Sequence, residues 1–161
     1  MKKWFSAWLL TVLMLNLFSG CAYKVPIERC PDKDAVTSVQ IYDLRNHEGK
    51  HNDFLDTEEP VYTVEEEKTA DFLSDLQAVE FYETKLLVIA AVDPGFTFDE
   101  WTVRLNYDNG TYSIFSDNGY AELYDEAGEV IESDHGGCDQ EQWDDLIEKY
   151  VPEDILNEST E

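Results

Sequence analysis

The sequence predicts a single α+β domain: an antiparallel sheet of about five to seven strands with two helices packed on one face. Three observations carry this expectation. Residues 101–132 alternate apolar and polar side chains in short runs separated by Asp-, Asn- and Gly-rich turns, the pattern of a meander. Segments 65–79 and 140–150 instead repeat apolar residues at helical spacing. With 43% apolar and 13% aromatic residues, the chain supports a core despite a net charge of −25.

In chain order, residues 1–20 read as a secretory signal. Lys2-Lys3 opens the segment, an apolar run follows from Trp4 to Leu15, and small residues precede Cys21. The run is too short to cross a bilayer, which takes about 20 apolar residues. Its end, Phe18-Ser19-Gly20-Cys21, resembles the lipobox of bacterial lipoproteins, with Phe18 standing where leucine is usual. The resemblance implies cleavage before Cys21 and a diacylglyceryl group on its sulfur. Two or three acyl chains hold a protein stably where one does not. Ala22, in place of aspartate, provides no inner-membrane retention signal.

Removal of residues 1–20 leaves 141 residues, the size of one domain, and takes away two lysines, so the net charge becomes −27. Such a surface repels nucleic acid and anionic headgroups and favours cations, basic peptides or basic protein patches. Lipid on Cys21 leaves two cysteines in an oxidising compartment, which are expected to pair as Cys30–Cys138. The long loop so closed is worth about 4–5 kcal/mol in the chain-entropy account. Residues 21–35 then serve as the lipidated cysteine and its tether. About nine free residues span at most about 30 Å.

The domain proper covers 36–151. A half-buried strand is expected over Thr37–Leu44, where Val39 and Ile41 alternate with polar neighbours. Residues 45–59 are a long polar loop, and a short strand follows at Val61–Val64. The first helix spans Glu65–Val79, with Phe72, Leu73, Leu76 and Val79 on one face and a Thr63/Glu66 capping box. Leu86–Val92 is apolar on both faces and reads as a central strand. Trp101–Tyr107 and Thr111–Phe115 form a hairpin about Asn109-Gly110, which suits a type I′ turn. Tyr120–Tyr124 and Glu129–Glu132 continue the meander. The last helix, Gln140–Tyr150, is capped by Asp139 and carries the stripe Trp143, Leu146, Ile147, Tyr150. Residues 152–161 are expected to be a frayed polar tail.

Over 61–151 three features occur in order: Phe72-Leu73 with Leu76, the strand–Asn109-Gly110–strand meander, and Trp143, Leu146-Ile147, Tyr150. Together they resemble small, poorly characterised bacterial exported domains. The resemblance implies a fold and transfers no catalytic residue.

One motif invites catalysis. His47-Glu48-Gly49-Lys50-His51 matches H-E-x-x-H, in which two histidines one helical turn apart bind zinc and the glutamate activates water. A third ligand would come from His135 or an acid. Gly49 and the absence of an apolar stripe favour a solvated loop instead. The Asp-rich turns lack EF-hand spacing and read as hairpin chemistry. Tyr112, Tyr120 and Tyr124 form either a sheet-face binding patch or cross-strand pairs. No serine elbow, P-loop or dinucleotide glycine pattern occurs.

The expected function is a non-catalytic binding or interaction module without cofactor. It is anchored by lipid on Cys21 to the outer face of a bacterial membrane and engages a basic envelope protein or peptide, not nucleic acid. The alternatives are a zinc-dependent hydrolase using His47, Glu48 and His51, and a weak divalent-cation-binding envelope protein.

Overall fold

The computed structural model describes residues 23–26, 33–45, 58–85, 101–117, 121–134 and 136–158. The strands are β1 (Tyr23–Pro26), β2 (Val36–Asp43), β3 (Tyr62–Thr63), β4 (Phe81–Lys85), β5 (Trp101–Tyr107), β6 (Tyr112–Ser116), β7 (Ala121–Tyr124), β8 (Val130–Asp134) and β9 (Gly137–Cys138). The helices are α1 (Glu66–Ala78), α2 (Gln140–Tyr150) and the short α3 (Glu153–Glu158), with one 3-10 turn at Lys33–Ala35. Six strands form an antiparallel sheet in the order β3-β2-β5-β6-β7-β8, and β1-β4-β9 form a second, smaller one. The α+β architecture and the meander β5-β6-β7-β8 are as the sequence predicts.

Strand alternation decides the layers. Val39 and Ile41 of β2, Val103 and Leu105 of β5, Phe115 of β6 and Ala121 of β7 lie on one face of the large sheet, in one cluster with Phe72, Leu73 and Leu76 of α1 and Trp143, Leu146 and Ile147 of α2. Both main helices therefore cover the same face. The two helices are also latched to each other. Lys149 donates to Asp75 at 2.6 Å, and the Tyr150 hydroxyl donates to the same carboxylate oxygen at 2.5 Å. Beneath that latch the Phe72 and Tyr150 rings meet edge-on, 4.9 Å between centroids.

The caps divide. Asp139 accepts from the Gln142 amide at 3.1 Å, as expected of an N-cap. The Gln142 side chain, instead of folding back to complete a capping box, accepts from the Glu80 amide at 2.7 Å and ties α2 to the start of β4. The Thr63/Glu66 box does not form: the N-cap of α1 is Glu65, which makes no side-chain cap bond, because Thr63 is held in β3. The hairpin turn also differs from expectation. Tyr107 N bonds Thr111 O, Gly110 N bonds Tyr107 O, and Gly110 has φ +82°, so the loop has three residues ending on a left-handed glycine. The β7–β8 turn repeats this arrangement with Asp125 and Gly128. A residue that must sit at positive φ explains both glycines.

Three segments depart from the sequence reading. Phe81–Lys85 is the middle strand of the small sheet, while the expected strand Leu86–Val92 lies outside the described residues. Tyr23–Pro26, expected in a tether, pairs residue by residue with β4. It has no apolar period to announce it, and Pro26, without an N–H, is tolerated because β1 is an edge strand. The tail, expected to fray, forms α3, and Ile155 and Leu156 pack against the core.

The latch makes stability depend on pH at both ends. The hydrogen bond from Lys149, then that from Tyr150, hold the Asp75 carboxyl below its ordinary 3.8. A carboxyl depressed on folding stabilises the fold above its unfolded value and loses that contribution as pH falls through the folded one. Burial, then Asp75, push the Tyr150 hydroxyl from 10.0 to about 12. Its contribution is complete below the unfolded value and is lost as pH rises toward the folded one. In thermal melts across pH, Asp75→Asn is expected to lower the melting temperature at neutral pH and to flatten the acid limb. Trp143→Ala, at a site with 0% exposure, is expected to cost about 3–5 kcal/mol in urea titration.

Candidate binding groove

The expected site residues lie in three places. Cys21, Cys30, His47, Glu48, His51, Tyr120 and His135 lie outside the described residues. Cys138 is in β9, buried, with its sulfur against the carbonyl oxygen of Asp117. That contact joins the small sheet to the Asp117 end of β6. Tyr112 and Tyr124 are cross-strand partners on β6 and β7, with rings stacked at 4.8 Å and 7°.

These tyrosines belong to the sheet face away from the helices. Ser38, Gln40 and Tyr42 of β2, Thr102, Arg104 and Asn106 of β5, and Tyr112, Ile114 and Ser116 of β6 share it by alternation. The Arg104 guanidinium lies 4.0 Å from the Tyr112 ring centroid, so a cation and two rings form a continuous stack. Arg104 Nε donates to Asn106, which donates in turn to Ser38 and Gln40 at 3.0 and 3.1 Å. The Tyr124 hydroxyl donates to the buried Glu122 carboxylate. Tyr124 is 1% exposed and Tyr112 9%, which makes this face a polar interior and not an open patch. For Tyr112 and Tyr124 the cross-strand reading holds.

A groove of about 540 Å³ opens elsewhere, where the end of β2 and the start of β5 meet α2 and α3. Asp43 stands opposite Trp101 in the sheet register, and Arg45, two residues beyond the end of β2, lies over the indole. Arg45 folds back on Asp43: Nε and Nη2 each donate to a carboxylate oxygen at 2.9 Å, and its backbone N–H donates at 3.1 Å. The guanidinium then sits 4.8 Å from the Trp101 ring centroid. Ile147 of α2 and Leu156 of α3 add apolar wall.

The rim is acidic. Asp144 and Glu148, one turn apart on α2, flank the wall residue Ile147, and Glu153 opens α3. Among the described residues none of these three carboxylates forms an ion pair with a lysine or arginine. The cation in the groove, Arg45, is already neutralised by Asp43. Like charges gathered on one rim raise the local concentration of opposite charge, an effect that salt screens. Asp144 and Glu148 on α2 and Glu153 on α3 spread the rim charge along the groove. The arrangement suits an extended cationic ligand with an apolar part better than one small ion.

Sequence reasoning missed the groove because it left α3 unassigned. The signal was present: Pro152, then Glu153-Asp154, then Ile155-Leu156, a helix start with acids in the first turn. The backbone confirms it, with Ile155 and Leu156 N–H groups both reaching the Pro152 carbonyl.

The polar face yields a stability test. Thr102 is 1% exposed and its hydroxyl finds no hydrogen-bond partner among the described residues. An unsatisfied buried polar group costs about 1–3 kcal/mol. Thr102→Val, which keeps the shape, is therefore expected to raise unfolding free energy by roughly 1 kcal/mol in urea titration. No protein family, curated protein or solved structure matches this chain.

Proposed function

We propose that the chain is an exported lipoprotein, anchored through lipid on Cys21 to the outer face of a bacterial membrane, whose domain is a non-catalytic binding module for a basic peptide or a basic segment of an envelope protein. The observation that carries the binding part is the groove: three carboxylates that, among the described residues, have no cationic partner, lining one cleft with Trp101, Ile147 and Leu156. A lysine- or arginine-bearing segment complements that rim, and an aromatic or aliphatic side chain beside its charge complements the wall. The net charge of −25 adds long-range steering of the same sign. The anchor rests on the lipobox-like Phe18-Ser19-Gly20-Cys21. The zinc hydrolase reading rests on His47, Glu48 and His51, which lie outside the described residues.

A short lysine- and leucine-rich peptide titrated against the domain by calorimetry tests the groove. Each exposed carboxylate–cation pair contributes about 0.2–1 kcal/mol. The triple variant Asp144→Asn, Glu148→Gln, Glu153→Gln is thus expected to weaken binding roughly tenfold, and added salt to shrink the difference. Unchanged affinity in the triple variant would remove the groove from the proposal. For the anchor, Cys21→Ser is expected to abolish acyl labelling and move the protein out of the membrane fraction. A variant still held as firmly, with labelling intact, would rule the anchor out.

A further inference from the structure

Asp43 and Trp101 form a seat for a guanidinium beside the groove. Alternation puts both on the helix-side face, Asp43 at the end of β2 and Trp101 at the start of β5, opposite each other in register. Arg45 fills the seat. Its Nε and Nη2 donate to the two different oxygens of Asp43, each at 2.9 Å, and its guanidinium lies 4.8 Å from the indole centroid. Two N–H groups on two carboxylate oxygens are the fork that a guanidinium makes and an ammonium does not. Carboxylate and indole both belong to strands, whereas Arg45 lies beyond the end of β2. The sheet therefore holds the seat independently of its occupant. The pair reaches solvent: the Arg45 side chain is 20% exposed and that of Asp43 13%. The surrounding charge favours a further cation, since Arg45 is one positive group against Asp43, Asp144, Glu148 and Glu153.

We infer that Asp43 and Trp101 are an arginine subsite of the groove, and that the basic ligand seats an arginine side chain there in place of Arg45, which acts as a built-in competitor. The inference rests on the groove binding a basic segment, proposed above, and narrows that segment to an arginine-bearing one. The fork selects arginine over lysine, because an ammonium meets the two carboxylate oxygens as a point charge. Stacking on the indole adds to the same preference. The exchange swaps one guanidinium for another, so Asp43 is not left without a cation at the end of it. Asp144, Glu148 and Glu153 then face the ligand's neighbouring charges along the rim. Competition sets the apparent affinity. An occupant that leaves a site open about a fifth of the time weakens an entering ligand about fivefold.

The test titrates the full chain, in non-ionic detergent, with an arginine- and leucine-rich peptide and with its lysine counterpart of the same length. Calorimetry is expected to show several-fold tighter binding of the arginine peptide. Arg45→Lys keeps the charge but removes the fork of the competitor. It is expected to strengthen the arginine peptide about fivefold and to leave the lysine peptide nearly unchanged. Asp43→Asn is expected to erase the difference between the peptides. A readout that needs no variant of the seat is the Arg45 Nε–H resonance, assigned by its loss in Arg45→Lys. It is expected to move to the position of a solvated arginine as the arginine peptide saturates. Equal binding of the two peptides, or an Arg45 resonance that stays in place at saturation, overturns the subsite and leaves the groove standing. Binding of neither peptide, to the unaltered chain or to Arg45→Lys, overturns both.

Discussion

Burial of one indole organises the domain. Trp143 is 0% exposed, between Phe81 of β4 and the helix-side face of the large sheet. A tryptophan removes about 150–250 Å² from water, worth roughly 4–6 kcal/mol at the usual coefficient. Its Nε1 finds no hydrogen-bond partner among the described residues, which costs about 1–3 kcal/mol. Apolar burial wins that comparison, so the unpaired N–H is tolerated. With Trp143 seated, the rest of α2 has no freedom of rotation. Leu146 and Ile147 face the sheet, Tyr150 reaches Phe72 and Asp75 of α1, and Asp144 and Glu148 are left at the surface.

The same placement connects the two sheets. Trp143 meets Phe81, Phe81 meets Phe115 of the large sheet, and β9 pairs Cys138 with Phe81 just before α2 begins. Gly137 allows this, because a Cβ there would stand 2.6 Å from the Tyr82 ring. The small sheet thus links β1, through β4 and β9, to α2.

The acidic balance is handled unevenly. Where the fold needs a carboxylate, it supplies a partner: Lys149 and Tyr150 for Asp75, Arg45 for Asp43, Lys68 for Glu65, and Tyr124 for the buried Glu122. With 11 lysines and arginines against 36 acids, most carboxylates have no such partner, and solvent screens them. Asp144, Glu148 and Glu153 differ from acids scattered over open surface in lining one groove.

The sequence by itself determined the elements whose periods are local: β5, the meander turns and α2 with its Asp139 cap. Alternation and the i, i+3, i+4, i+7 stripe each reflect one face meeting one core. It did not reveal β1 or the middle position of β4, since backbone pairing between residues 23–26 and 82–85 leaves no mark on side-chain order. It hid the polar interior on the second sheet face, because Thr102, Arg104 and Glu122 look like solvent positions until a fold buries or stacks them. The groove was beyond sequence for the same reason. Arg45, Trp101, Glu148 and Leu156 are distant along the chain, and only the tertiary structure, by seating Trp143 and folding α3 back on the core, brings them to one cleft.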